Sequence, residues 1–163
     1  MDTIIIDAYN LMHKVSELRL LLAQSQDICV DTMIQKLNGH FFNRGVKVVL
    51  VFDGLGKNKH DHNIEVKFAK TDVGTDWGNA DALIKHLVEK AKNAKLIKVV
   101  SSDREITWFA KDCGCRIQTA EGFWGEVKER RIDRAEEIRD SKEKPDVVTR
   151  TEFDYLLKEF TKK

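Results

Sequence analysis

VKVVLVF at residues 46–52, followed at once by Asp53 and Gly54, is the stretch that decides the fold. Six of these seven residues are apolar and four are valine. A run this continuous suits a strand covered on both faces, as in a parallel sheet; a strand with one wet face would alternate. Shorter runs of the same character flank it. Residues 3–6 (TIII) form the first, and LIKVV at 96–100 and RIQT at 116–119 come later. IEVKFA at 64–69 alternates, as a strand nearer the sheet edge does. Helix-period segments separate them. Residues 27–43 put Ile28, Met33, Ile34, Leu37, Phe41 and Phe42 on one broad face, closed by Arg44-Gly45. Residues 80–91 do the same with Leu83, Leu87, Val88 and Ala91, and residues 103–112 with Ile106, Phe109 and Ala110, stopped by Cys113-Gly114. Strand and helix in alternation predict an α/β fold around a mostly parallel sheet of about five strands.

The 163 residues suit one domain spanning 1–163. With 42% hydrophobic and 34% charged residues the chain can bury a core without disulfides or a structural metal. Ser102-Asp103-Arg104-Glu105 and Thr149-Arg150-Thr151-Glu152 both fit the S/T-x-x-E capping box, which predicts helix starts there. Residues 126–144 are dense in alternating charge, with Val127, Ile132, Ala135 and Ile138 as a thin apolar stripe; this predicts a solvated helix on the flank, ended by Pro145. A last helix is expected at about 150–161 through Phe153, Leu156, Leu157 and Phe160.

A net charge of +1 means that any nucleic-acid binding must come from local basic patches. Cys29, Cys113 and Cys115 lack the C-x-x-C spacing of redox and zinc sites, so free thiols are expected. The N-terminus has no basic n-region before its apolar residues, and no run approaches the roughly 20 residues of a membrane span. A cytoplasmic protein with no membrane partner is expected.

The chemistry collects where strands end. Asp7 follows the first apolar run, Asp53 follows the second, and Asp103 lies just beyond the fourth. Residues past the carboxyl ends of parallel strands share one edge of the domain. Asp81, in the first turn of a helix, adds a fourth acid where the helix dipole favours it. Singly, each has an ordinary explanation as a turn, cap or first-turn acid. Together they repel one another unless a cation intervenes, and oxygen ligands suit Mg2+ or Mn2+. No G-x-x-x-x-G-K-[ST] or G-x-G-x-x-G loop is present, which argues against a nucleotide cofactor. A G-x-S-x-G nucleophile elbow is also missing. His60 and His62 read as part of a polar loop with Lys57 and Lys59.

Five pieces in order, IIIDAYNLM (4–12), VVLVFDG (48–54), NADALI (79–84), VVSSDREI (99–106) and GCRIQTAEGFWGEV (114–127), resemble the YacP-like branch of the NYN nucleases in the PIN-like superfamily. The resemblance implies a three-layer α/β/α sandwich with an acidic pocket that binds divalent metal and cleaves RNA. It implies Asp7, Asp53, Asp81 and Asp103 as metal-binding catalytic acids. Asn10 would steady the first acid or touch the scissile phosphate. The partner implied is RNA, single-stranded or messenger. KTDVGTDWGN at 70–79 is longer than the family's connection before A-D, so Asp72 and Asp76 compete with Asp81 as the fourth acid. Lys14, Lys57, Lys59, Lys70 and Arg104 are candidate phosphate contacts. Trp77 and Trp124 either stack on bases or pack against the domain. Two rivals stand beside the metal-dependent endoribonuclease. One is a silent RNA-binding module; the other is a metal-dependent phosphatase on a related α/β scaffold, although the D-x-D start of one large phosphatase class is missing at Asp7-Ala8-Tyr9.

Overall fold

All five expected strands form, and a sixth joins them. The computed structural model describes residues 1–143. Its strands are β1 (Asp2–Asp7), β2 (Val46–Leu55), β3 (Lys59–Asp61), β4 (Ile64–Lys70), β5 (Ile97–Val100) and β6 (Arg116–Gln118). Its helices are α1 (Ala8–Lys14), α2 (Ser16–Gln24), α3 (Gln26–Phe41), α4 (Ala80–Lys90), α5 (Arg104–Asp112) and α6 (Ala120–Glu143). The sheet order is β3-β4-β2-β1-β5-β6. Every pairing is parallel except β3 with β4. The chain moves outward from β1 to β2 and β4, then returns to β5 on the other side of β1. The strand order therefore reverses between β1 and β5, where open α/β sheets form their crevice.

Strand alternation sorts the core into two layers. Ile4, Ile6, Val48, Leu50 and Phe52 pack with α1–α3 and the start of α6, around Leu11, Met12, Leu18, Met33, Phe123 and Trp124. Ile5, Val49, Val51, Ile97 and Val99 pack with α4 and α5, around Leu83, Ile84, Val88, Ile106 and Ala110. The result is an α/β/α sandwich, as the motifs implied.

The departures from expectation have local causes. Residues 59–61 belong to a strand, not to a polar loop: β3 is an exposed edge with no apolar signature, paired to β4 through a tight turn with His62 at φ 49°. Residues 8–24, to which no element was assigned, fold as α1 and α2, helices of 7 and 9 residues. They are too short for a clear period, and tertiary burial of Leu11, Met12 and Leu18 secures them. In α3 the buried face is Cys29, Met33, Leu37 and Phe41, so its stripe is narrower than expected; Ile28 and Phe42 are 52% and 55% exposed. Residues 94–96 make a turn of 3-10 helix ahead of β5. The charged helix begins six residues earlier than expected, at Ala120 instead of 126. Thr119 opens it, its Oγ1 accepting from the Gly122 N–H at 3.2 Å. Its first turns bury Phe123, Trp124 and Val127.

The chain divides into two compact units, Met1–Lys128 and Glu129–Lys163. Of the second, the described part is the distal stretch of α6; the capping box at Thr149 and the helix expected at about 150–161 lie outside the described residues. All three cysteines are free, Cys29 and Cys115 buried and Cys113 exposed. Among the described residues no helix is long and apolar enough to cross a membrane.

The α3 face supplies a direct test. Phe41 stacks on Phe123 at 6.2 Å between ring centroids, so Phe41→Ala is expected to lower stability in urea unfolding by about 3–5 kcal/mol. Phe42→Ser is expected to change it by no more than about 0.5 kcal/mol. Equal losses at the two positions would contradict this packing.

Candidate active site

Asp7 is both the last residue of β1 and the N-cap of α1, so a single side chain couples the central strand to the first helix. Its Oδ1 accepts from the Asn10 N–H at 3.3 Å. Alternation places it on the same sheet face as Ile5, the face that carries α4 and α5. Only 9% exposed, it has its pKa pushed up to about 6. Burial is the main cause; the charges of Asp81, Asp103 and Asp53 add to it, and the Asn10 N–H works against it.

Asp53 shares a face with Val49 and Val51. Its Oδ1 accepts from the Gly54 N–H at 3.0 Å and from the Ala80 N–H at 3.3 Å, tying β2 to the first residue of α4. The Gly54-Leu55-Gly56 segment explains this local turn. Gly54 sits at φ 81°, and a Cβ on Gly56 would come within 2.5 Å of the Phe68 ring. The ladder between β2 and β4 shifts register here, between Phe52 and Leu55. Asn79 caps α4, accepting from the Ala82 N–H at 2.8 Å, and Asp81 follows in the first turn. Burial raises the Asp81 pKa first, then the charges of Asp103, Glu105 and Asp53, while Lys85 opposes the shift.

Asp103 caps α5. Its Oδ1 accepts from Glu105 N–H at 2.8 Å and Ile106 N–H at 3.3 Å, and Oδ2 takes no part in the cap. The N-cap is therefore Asp103, one residue past Ser102, and with Ile106 at the third helical position the capping box does not form. Ser102 is engaged elsewhere: its N–H donates to Asn10 Oδ1 at 2.8 Å. Its Oγ donates to Glu121 at 2.8 Å and accepts from the Ala120 N–H at 3.2 Å. Buried Ser101 folds the same loop, its Oγ accepting from the Asp103 N–H at 3.1 Å.

The structure thus brings Asp7, Asp53, Asp81 and Asp103 into one electrostatic neighbourhood, with three helix N-termini facing it. Asn10 lies in it as a bridge from α1 to the β5–α5 loop. Sequence reading missed Glu105, Lys85 and Glu121. Lys85 Nζ stands 2.7 Å from Glu105 Oε1, and its position four residues after Asp81 was the available signal. In sequence, Glu105 reads as the acid of a capping box. Asp76 is occupied otherwise, with Oδ1 accepting from Gly78 N–H at 2.8 Å and Oδ2 3.9 Å from Lys70 Nζ. Exposed Asp72 is not among the charges acting on Asp7 or Asp81.

The basic candidates disperse. Lys59 lies on β3, three strands from β1 and hence roughly 14 Å across the sheet; Lys57 is in the loop leading to it. Lys70 ends β4 beside Asp76. Lys14 ends α1 near Glu121, whose carboxyl is held below its ordinary range chiefly by its own backbone N–H, then by Ser102, with a smaller contribution from Lys14. Arg104 opens α5, exposed. Trp77 lies tilted against His86, ring centroids 4.0 Å apart, and packs on the second core layer. Trp124 is buried, donating its ring N–H to Glu17, with Lys36 Nζ 5.7 Å from the ring centroid.

Among the described residues no three Asp, Glu, His or Cys side chains are grouped closely enough to hold one ion. The donor set is nevertheless all oxygen and mutually repelling. Mg2+ keeps several waters and is commonly held by one or two carboxylates, so these side chains fit a hydrated hard cation rather than a fully caged one.

A match to the family described as the YacP-like NYN domain covers residues 4–162. The chain is 32% identical to YacP of Bacillus subtilis (strain 168) over 142 residues, 82% of this chain and 81% of that protein. A crystal structure of a Trp-to-Leu mutant of Rae1 (YacP) from Bacillus subtilis superposes with a TM-score of 0.71 at 29% identity, covering 90% of this chain and 87% of that one. A second crystal structure of Rae1 (YacP) gives a TM-score of 0.65 at 29% identity, covering 98% of this chain and 92% of that one.

The displaced Asp7 pKa carries a stability consequence. The folded state holds this proton more tightly than the unfolded chain, whose ordinary value is 3.8. The stabilisation is fully present below about pH 3.8 and is lost as pH rises through about 6. The displacement corresponds to about 3 kcal/mol. In EDTA, Asp7→Asn, which preserves the cap, is expected to raise the Tm at pH 7.5 by about 6–12 °C and by about half as much at pH 5. A Tm gain independent of pH would refute the burial of an ionised carboxylate as its cause.

Proposed function

This chain belongs to the YacP-like NYN domain family, and on that premise we propose that it is a divalent-metal-dependent endoribonuclease hydrolysing phosphodiester bonds of single-stranded or messenger RNA. The observation that carries the reading is the grouping of Asp7, Asp53, Asp81 and Asp103 at the sheet's switch point, with Asp7 buried there and its pKa raised. A buried acid surrounded by other acids, at a considerable cost in stability, is hard to explain by capping alone.

Asp7, Asp53, Asp81 and Asp103 would hold Mg2+ or Mn2+, Asp103 with the Oδ2 that its cap does not use. When bound, such an ion acidifies a water and offsets charge on the phosphate during in-line attack. The chain's own groups do the positioning. Asp7, buried and flanked by the other acids, would supply a carboxylate whose unfavourable charge the cation offsets. Asn10 Oδ1 is committed to the Ser102 N–H, which leaves its Nδ2 as the donor for a phosphate oxygen. Lys85 restrains Glu105 beside Asp81, limiting the negative charge that an incoming phosphate meets. Arg104, one residue past Asp103, offers a guanidinium to the RNA backbone.

The test uses mixed single-stranded and structured RNA with wild type, Asp7→Asn and Asp103→Asn in Mg2+, Mn2+ or EDTA. Cleavage is expected only with metal, and each substitution is expected to slow it by at least about 100-fold, in line with the removal of a metal-supporting group. Cleavage that persists in EDTA and in both variants would overturn the proposal. RNA binding without cleavage under every condition would favour a silent binding module, and turnover of small phosphomonoesters alone would favour a phosphatase.

A further inference from the structure

The outward side of α5 carries a pattern that the acidic site does not use. At 100° per residue, Arg104, Trp108 and Lys111 fall within about 60° of one another, and Ile106 and Ala110, on the opposite side, are buried. All three outward residues are exposed, Trp108 to 66%. Of the three tryptophans, Trp77 and Trp124 pack against the two core layers, and Trp108 alone is exposed. Spacings of four and three residues put one cation on each side of the indole. The acid on this helix nearest the site, Glu105, is neutralised by Lys85. Neither Arg104 nor Lys111 makes an ion pair among the described residues, and Asp112 bounds the stripe at its far end. Lys111 in the last turn also suits the helix dipole, but no such reason accounts for Trp108.

The stripe starts at the cap residue Asp103, and Trp108 lies only about 7 Å along the helix axis from it. A protein-docking tryptophan would sit among apolar neighbours. The neighbours of Trp108 three and four residues away are Arg104, Glu105, Lys111 and Asp112, all charged and exposed, with Glu105 already paired to Lys85. An aromatic face between two cations is instead the chemistry that takes a base and its flanking phosphates. We infer that the outward face of α5 is a single-stranded RNA track, with Trp108 stacking on a base and Arg104 and Lys111 binding the phosphates on either side. The inference deepens the ribonuclease reading and rests on it for the identity of the polymer.

Binding of full-length protein to a fluorescein-labelled oligouridylate of about 12 nucleotides, followed by fluorescence anisotropy in EDTA, isolates the track from cleavage. Trp108→Ala is expected to weaken binding about ten-fold, while Trp108→Phe retains most of the affinity. Arg104→Ala and Lys111→Ala should each lower the slope of log affinity against log salt by about 0.7. Each variant should melt within about 2 °C of wild type, since no buried contact is lost. Wild-type binding that is absent, or that is unchanged in Trp108→Ala, overturns the track. So does self-association of wild type in size-exclusion chromatography that Trp108→Ala abolishes while RNA binding stays equal, which would assign the face to a second copy of the chain. Cleavage of the same oligonucleotide in Mn2+ by wild type and Asp7→Asn separates the two claims. Binding that depends on Trp108 with no cleavage by either protein keeps the track and removes the nuclease. Cleavage that depends on Asp7 with binding indifferent to Trp108 does the reverse.

Discussion

The site depends on the parity of residues in two adjacent strands. β1 and β2 pair in parallel with Asp7 beside Val51, and alternation then fixes which side of the sheet each acid faces. Ile4 and Ile6 are committed to the layer of α1–α3, Ile5 to the layer of α4 and α5. Asp7 has the parity of Ile5, and Asp53 that of Val49 and Val51. Both acids therefore face α4 and α5, the helices that bring Asp81 and Asp103. Slipping β1 by one residue would send Asp7 to the opposite layer and exchange its apolar residues between the two cores. The core that pins the register thus also pins the site.

That arrangement carries an electrostatic cost, and the backbone offsets part of it. Asp7 and Asp103 cap α1 and α5, and Asp53 accepts from the first N–H of α4. These contacts satisfy helix N–H groups that would otherwise lack partners, at the dipole ends that favour negative charge. The compensation is incomplete at Asp7, whose pKa still rises to about 6. An acid placed for stability alone would move the other way, as Glu65 does: despite its own desolvation it is held low by hydrogen bonds from Lys47 and Lys67 and by their charges. The unrelieved burial at Asp7 sets it apart from the ion-paired Glu65. Asn10 and Ser102 supply the cross-brace, joining α1 to the β5–α5 loop over the switch point.

Much of this was legible in the chain. VKVVLVF announced a strand buried on both faces, and Asp7, Asp53 and Asp103 were recognisable because each follows an apolar run. The same apolar-run logic failed at β3, whose Lys59-His60-Asp61 carries no hydrophobic pattern and forms only because β4 offers an open edge. It failed again at residues 8–24, where helices of 7 and 9 residues owe their existence to burial rather than propensity. At α6 the dense charge beyond residue 126 masks the apolar face that Phe123, Trp124 and Val127 share ahead of it.

What the sequence determined by itself was the α/β alternation, the strand ends that carry acids, and the order of motifs that marks the family. These are local properties, written in periodicity and in residue type at element boundaries. The grouping of Asp81 with Asp7 and Asp103, the engagement of Asp76 by Lys70, and the division of Trp77 and Trp124 from exposed Trp108 were decided only by the tertiary structure. Burial and mutual repulsion depend on which elements pack together, and residues more than 70 positions apart in the chain, such as Asp7 and Asp81, become neighbours only when β1 settles between β2 and β5.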